Sequence, residues 1–391
     1  MRRVGVAFPG RDPENQATWS GTPAGVVDGL RQIGVEAVPL NVGTPPAVRA
    51  LALNSVALRY LRPDRDLRST VRRARGSARA SPTMSVLDSA FTASGVGESD
   101  RLDGIIQIGT GYTLRTAVPI VTYEDMTVAQ NRAHPYEQFS LLSERAIRSR
   151  IRRQRAVYEQ VVGVCVATDW VAESVVDDYS IPDSKVHVVG VGFRPLNIED
   201  QRDWSVPRFL FVGLDWERKN GPAVLRAFAQ VRNEHPDAEL DLVGGHPPVT
   251  QDGVRGHGVL RREVPEERAQ VERLFGRSTC FVMPSSLEAA GIVYLEAAAA
   301  GLPAIGTSVG GAGFLIGEGG TVVDPSDEGA LVAAMRRFAD AEVASRTGAG
   351  GAARAASFTW NAVAERLVGA LDGRSPTRWW DPSESFGSDS A

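Results

Sequence analysis

The feature that most constrains this chain is the order in which short apolar runs and helix-like stretches follow one another. Runs at 4–8, 35–40, 104–108, 119–123, 163–167 and 185–189 have the length and side chains of buried strands. Stretches with helical spacing lie between them at 23–33, 139–160 and 169–179. The alternation then restarts, with strands predicted at 208–213, 239–243, 280–284 and 303–306 and helices at 222–234, 265–275, 292–300 and 328–339. Such alternation builds a parallel sheet covered by helices on both faces. Two rounds of it in 391 residues predict two doubly wound α/β domains. The scattered polar residues of 190–207 place the boundary between them, giving domains 1–195 and 196–372. Residues 373–391, rich in Pro, Ser and Asp, read as a polar, partly disordered tail, although the adjacent indoles of Trp379 and Trp380 call for cover. The arginine-rich stretch 62–79, with its Pro, Gly and Ser, reads as a solvated connection.

Composition narrows the chemistry. At 43% apolar and 23% charged residues, the chain has enough of both to bury a full core and stay in water. No segment approaches the roughly 20 apolar residues of a membrane span. The opening MRRVGVAFPG is a first strand and too short an apolar run for a signal peptide. These features predict a cytoplasmic protein. A net charge of −4 gives no global reason to expect nucleic acid. Cys165 and Cys280 stand in strand-like runs and read as buried thiols. Only Lys185 and Lys219 among the 43 basic residues are lysine, leaving 43 − 2 = 41 arginines. A lysine retained against that bias suggests a need for a compact ammonium.

The stretch Ser285-Ser286-Leu287-Glu288-Ala289-Ala290-Gly291-Ile292-Val293-Tyr294-Leu295-Glu296 follows an apolar run and enters an alanine-rich helix. Backbone amides near Gly291, Ile292 and Val293 would be the unpaired donors of that helix, with its dipole behind them, and suit a diphosphate. Gly291 allows close approach because it has no Cβ. Glu296 lies about 7.5 Å further along the axis, at 1.5 Å per residue, and its carboxylate can take the vicinal hydroxyls of a ribose. Glu288, in the loop, can face a sugar ring. Arg218 and Lys219 follow the strand 208–213, where two cations can neutralise a departing diphosphate. Gly21 precedes the first helix, where it serves equally as a plain helix start or as an approach to phosphates or acceptor. Arg145, Arg148, Arg150, Arg152, Arg153 and Arg155 surround Ile147 and Ile151. This basic helix over 145–155 reads either as a solvated face or as a contact for an anionic membrane or lipid-linked acceptor.

Glu288 and Glu296 form a Glu-x7-Glu motif, and their surroundings resemble the signature of the retaining glycosyltransferases of family 4. The resemblance extends to Phe211-Val212-Gly213-Leu214-Asp215-Trp216-Glu217-Arg218-Lys219, to Ala167-Thr168-Asp169-Trp170 and to Trp19-Ser20-Gly21-Thr22-Pro23. It implies the GT-B fold, two Rossmann-like domains facing across a cleft. The N-terminal domain would bind the acceptor and the C-terminal domain the nucleotide-sugar donor. Lys219 then corresponds to the phosphate-binding lysine. Leu214 stands at the family's usual arginine, whose place Arg218 can take. Many members carry a histidine after the fourth strand, near the reacting sugar. This chain has Thr122-Tyr123-Glu124-Asp125-Met126 there, so Glu124 or Asp125 would supply the polar contact.

The expected function is retaining transfer of a sugar to a hydroxyl of a glycan, a lipid-linked or a small-molecule acceptor, without cofactor or metal. Lys219, Arg218, Glu288 and Glu124 are the expected catalytic residues. Gly21, Gly291, Ile292, Val293 and Glu296 are the expected donor-binding residues. A GT-B epimerase or phosphorylase, or a catalytically silent sugar-nucleotide binding subunit, are the alternatives. Product analysis with and without acceptor separates them.

Overall fold

The computed structural model describes residues 1–9, 13–15, 18–62, 67–95, 101–134, 136, 138–198, 202–377 and 379. They form two compact units, Met1–Val191 with Trp360–Ala391, and Gly192–Thr359.

The first unit is built on a six-stranded parallel sheet. Its strands are β1 (Arg3–Pro9), β2 (Glu36–Val42), β3 (Gly104–Ile108), β4 (Ile120–Glu124), β5 (Gly163–Val166) and β6 (Val186–Val188), in the order β2-β1-β3-β4-β5-β6. Strands β3, β4 and β5 are buried along their whole length, as strands covered on both faces must be. Around them lie α1 (Thr22–Gln32), α2 (Pro46–Ala57), α3 (Leu67–Ala80), α4 (Pro82–Gly95), α5 (Val128–Ala133), α6 (Glu144–Gln160) and α7 (Asp169–Asp177).

The second unit repeats the plan. Strands β7 (Arg208–Gly213), β8 (Glu239–Gly244), β9 (Val254–Gly256), β10 (Cys280–Val282), β11 (Ala304–Thr307) and β12 (Gly320–Val323) pair in the order β12-β11-β10-β7-β8-β9. Its helices are α8 (Gly221–Glu234), α9 (Pro265–Arg277), α10 (Ile292–Ala299), α11 (Ala312–Ile316), α12 (Glu328–Ala339) and α13 (Ala341–Ala355). In each sheet the chain leaves its first strand in one direction and later returns on the other side. That reversal opens a crevice at the carboxyl ends of the two strands flanking it. The flanking pair is β1 and β3 in the first unit, β7 and β10 in the second.

The chain differs from its sequence-based outline in three places. The last helix, α14 (Trp360–Leu371), packs on α1 and belongs to the first unit, not to 196–372. The stretch 62–79 is not a connection over its described part: α3 is a helix that buries Thr70, Ala74, Ser77 and Ala78. Strands β9 and β12 are additional, as are α2 to α5, α11 and α13. Most of the tail 373–391, Trp380 included, lies outside the described residues. Trp379 does find cover: its ring lies 3.4 Å from the Arg366 guanidinium, and its Nε1 donates to the Val188 carbonyl at 2.7 Å. Both cysteines are free and buried, and burial pushes their thiols well up.

Candidate active site

In the second unit the predicted residues converge on the crevice between β7 and β10. The loop after β7 turns at Asp215, whose carbonyl accepts from the Lys219 amide at 2.9 Å. Asn220 closes it in the left-handed region, at φ 60°, and α8 begins. The turn aims Lys219 back over Gly213, where an added Cβ would sit 2.8 Å from the lysine stem. Lys219 Nζ donates to Glu288 Oε2. Arg218 reaches the same carboxylate at 3.7 Å and donates to the Leu287 carbonyl at 2.9 Å. Ser285 Oγ donates to Glu288 Oε2 at 3.2 Å. Burial lowers the Lys219 ammonium from its ordinary pKa, and the Glu288 charge only partly restores it. A buried cation held this way costs little further reorganisation when a second anion arrives.

The backbone at Glu288 is fixed from the far side. Its amide donates to the Val309 carbonyl at 3.1 Å, and its carbonyl accepts from the Gly311 amide at 2.9 Å. Gly310, at φ 104°, lies so close to the Glu288 carbonyl that a side chain there would overlap it. Three residues on, Gly291 caps α10 at φ 85° with no side-chain cap. Ile292 and Val293 are half-buried at the first turn, so the helix presents its dipole and backbone donors without a protein cap.

Glu296 is 5% exposed, one turn further in. It is already engaged: Arg262 Nη1 donates to its Oε1, and Arg262 Nη2 to its Oε2 at 2.6 Å. Burial opposes the Arg262 charge, but the Glu296 carboxylate outweighs it and the guanidinium pKa is raised. Arg262 was not among the sequence-predicted residues. It sits 34 positions upstream in the turn before α9, with no pattern to mark it. A carboxylate oxygen has room for more than one donor, so the pair fixes Glu296 without closing it to hydroxyls.

The remaining predicted residues lie in the first unit. Gly21 caps α1 at φ 81°. Trp19 and Ser20 before it are also left-handed, at φ 46° and 53°. For tryptophan this conformation costs about 1–2 kcal/mol, and such strain gathers at functional segments. Trp19 Nε1 donates to Asp125 Oδ2 at 3.1 Å, tying this turn to the end of β4.

Glu124 points the other way. It is 4% exposed and accepts from Thr110 Oγ1 at 2.9 Å, from Gln154 Nε2 at 2.9 Å and from the Tyr158 hydroxyl. Burial pushes its carboxyl up to about 7 against the pull of these hydrogen bonds. The expectation that Glu124 projects from the strand end is therefore corrected. Adjacent strand residues alternate faces, and Asp125 is the one turned towards the Trp19 segment.

The basic helix is also partly corrected. Arg145, Arg148, Arg152 and Arg155 are exposed, but Arg150 is buried and Ile147 packs with Ala80, Val128, Phe139 and Leu142. Ile151, half-buried, packs against the same cluster. Among the described residues, no three His, Cys, Asp or Glu side chains gather as metal ligands, and no helix is long and apolar enough to cross a membrane.

Two doubly wound units in one chain, each with a crevice where its strand order reverses, make the GT-B fold. Residues 206–341 match the family described as Glycosyl transferases group 1. The chain is 33% identical over 179 residues to a GDP-mannose-dependent alpha-(1-6)-phosphatidylinositol monomannoside mannosyltransferase of Mycolicibacterium smegmatis, covering 41% of this chain and 46% of the relative. It is 31% identical over 223 residues to a D-inositol 3-phosphate glycosyltransferase of Streptomyces scabiei, covering 49% and 50%. The chain thus spans about half the length of these relatives. Among solved structures, sucrose-phosphate synthase from Thermosynechococcus elongatus superposes with a TM-score of 0.62 at 18% identity, over 94% of this chain and 98% of that one. WaaG, a glycosyltransferase involved in lipopolysaccharide biosynthesis, gives 0.61 at 16%, over 95% and 100%. At such identities the likeness is one of fold.

Proposed function

We propose that the protein is a retaining, metal-independent glycosyltransferase of family 4. It moves a sugar from a nucleotide-diphosphate donor to a hydroxyl of a glycan, lipid-linked or small-molecule acceptor. The observation that carries this reading is the shared contact of Lys219 and Arg218 with Glu288 beside the uncapped start of α10. In this reading the diphosphate lies on the Ile292 and Val293 amides, and Lys219 and Arg218 neutralise the charge that grows on it as the glycosidic bond breaks. Glu296, steadied by Arg262, takes ribose hydroxyls. Glu288 positions Lys219 and takes a sugar hydroxyl. Asp125, rather than Glu124, supplies the polar contact at the end of β4. The first unit binds the acceptor. The leaving phosphate accepts the acceptor proton, so no separate base is needed and configuration is retained.

Because one relative bears the name of a GDP-mannose-dependent enzyme, GDP-mannose heads the donor series to be tried by thermal shift, followed by UDP-, ADP- and TDP-sugars. A donor at 100 times its dissociation constant adds about 2.7 kcal/mol of stability. With the donor found, Lys219→Ala is expected to lower turnover at saturating donor by at least about tenfold, or 1.4 kcal/mol of barrier. If the Michaelis constant for donor rises and turnover stays, Lys219 only binds.

A further inference from the structure

At the carboxyl ends of β7, β8 and β9 the second unit carries three successive turns. The first holds Trp216 and Lys219. The second is Gly244-Gly245-His246-Pro247, and the third runs from His257 to Val264 and holds Arg262. Backbone presses the first two together. The Gly245 amide donates to the Gly213 carbonyl at 3.1 Å, and a Cβ at Gly244 or Gly245 would overlap the carbonyl of Gly213 or Leu214. His246 is the side chain that reaches all three turns. Its ring meets the Trp216 indole edge to face, with centroids 6.2 Å apart. It also lies on Gly256 at the end of β9, where a Cβ would stand 2.3 Å from the imidazole. Its Nε2 is 3.0 Å from the Gly258 amide nitrogen, and its Nδ1 is 2.8 Å from the Pro247 carbonyl oxygen.

These partners fix the chemical form of the ring. A carbonyl only accepts, so Nδ1 carries the hydrogen. An amide N–H only donates, so Nε2 presents its lone pair. A hydrogen on Nε2 would set donor against donor, so only the neutral Nδ1–H form makes both bonds. Gly258 is thereby held at both of its polar groups, since its carbonyl accepts from the Gly244 amide at 2.8 Å. The arm beyond it is anchored again on α9, where Glu267 accepts from the Arg261 amide and guanidinium. Arg262, between Gly258 and α9, donates from Nη1 and Nη2 to the two oxygens of Glu296. The contacts close a circuit round the crevice. It runs from Lys219 to Glu288, along α10 to Glu296, through Arg262 to Gly258 and His246, and back through Trp216 to the turn of Lys219.

We propose that His246 is a positioning residue of the donor site: its neutral ring, accepting from the Gly258 amide, holds the arm that sets Arg262 on Glu296. The inference rests on the reading of this crevice as the donor site, and its first test needs no ligand. His246→Phe keeps a ring against Trp216 and loses the acceptor. In the unliganded chain it is expected to quicken amide exchange about fivefold in a peptide spanning 257–263, the effect of one neutral hydrogen bond. His246→Gln, whose Oε1 takes the place of Nε2 as acceptor, is expected to restore the slow exchange. Calorimetry with GDP, UDP and ADP, set against inorganic pyrophosphate, reads the effect on the site. His246→Phe is expected to weaken the tightest of the three nucleotides by about fivefold, with His246→Gln close to the unsubstituted chain. Pyrophosphate has no ribose, and its affinity is expected to stay unchanged, whereas a merely structural role would weaken both ligands alike. Arg262→Ala is expected to weaken the nucleotide at least as much, and the double variant no further, because His246 acts through Arg262. Unchanged exchange at 257–263 in His246→Phe, failure of His246→Gln to restore it, equal loss of pyrophosphate, or additive losses in the double variant overturns the proposal. If no nucleotide binds the unsubstituted chain, the donor reading fails instead, and exchange at 257–263 still decides whether His246 holds the arm.

Discussion

At the scale of single residues, the pair Glu124 and Asp125 shows what one step along a strand decides. Both are acids at the end of β4, and the sequence offered no way to tell which one turns inward. The structure gives Glu124 three hydrogen-bond partners and almost no solvent, and turns Asp125 to Trp19. A consequence follows for pH. The Glu124 carboxyl titrates near 7 in the folded chain and near 4.5 when unfolded. Between those values the folded state holds the extra proton, so stability falls as pH rises from about 4.5 to 7 and is level beyond. The two pKa values differ by an amount worth roughly 3 kcal/mol at most. Glu124→Gln cannot ionise and keeps most of the hydrogen bonds. Urea unfolding at pH 5 and pH 8 is expected to show a wild-type loss that is smaller by about 1–3 kcal/mol in the variant. Equal losses in both proteins would mean that Glu124 is not the buried titrating group. The Glu288 and Glu296 pair was legible because its spacing within one loop and helix is local. Arg262 was not, because its contact with Glu296 joins two segments 34 residues apart.

At the scale of elements, the strands that read clearly are the largely buried ones, such as β3, β4 and β7, where apolar residues predominate. The short edge strands β9 and β12 carry Gly and exposed positions, and their sequences do not differ from loops. Two of the missed helices have a different cause. In α3 the buried side chains are Thr70, Ala74, Ser77 and Ala78, and in α13 they are Ala344, Gly348, Gly351 and Ala355. Small residues at helical spacing let backbones approach but leave no apolar stripe to read. The return of α14 to the first unit rests on the same device. Gly25 lies against the Trp360 indole and Gly29 against the Trp360 carbonyl, each close enough that a Cβ would overlap. The carbonyl cannot swing aside as a flexible side chain can. Gly29→Ala is therefore expected to cost about 1–3 kcal/mol of stability, measured by chemical unfolding, despite the better helix propensity of alanine. A neutral or stabilising effect would show that α14 is not seated on α1 as described.

At the scale of the whole molecule, the chain holds two sheets of the same plan and places different chemistry at their crevices. The second unit sets a buried lysine, an arginine and two glutamates against a helix start. The first sets the buried Arg150 beside the ends of β1 and β3. The doubling was readable from the alternation alone, and so was the assignment of the Glu-x7-Glu stretch to the later unit. The burial of Arg150 was not, because in sequence it looks like one of six arginines on a solvated helix. This division of labour makes a prediction that depends on neither sugar nor acceptor. If the donor nucleotide is held by the second unit, adding a nucleoside diphosphate should slow amide hydrogen exchange first where its phosphates meet the backbone. The Ile292 and Val293 amides and the turn at residues 214–220 are the expected places. An amide that gains a hydrogen bond and loses water contact exchanges only through opening, which ligand at 100 times its dissociation constant makes about a hundredfold rarer. Slowing by an order of magnitude or more is expected at 292–293 and 214–220, read by mass spectrometry of peptides spanning each stretch. Protection confined to residues 19–25 of the first unit would place the nucleotide there, and the Lys219–Glu288 cluster would then be an ion pair that only holds the fold.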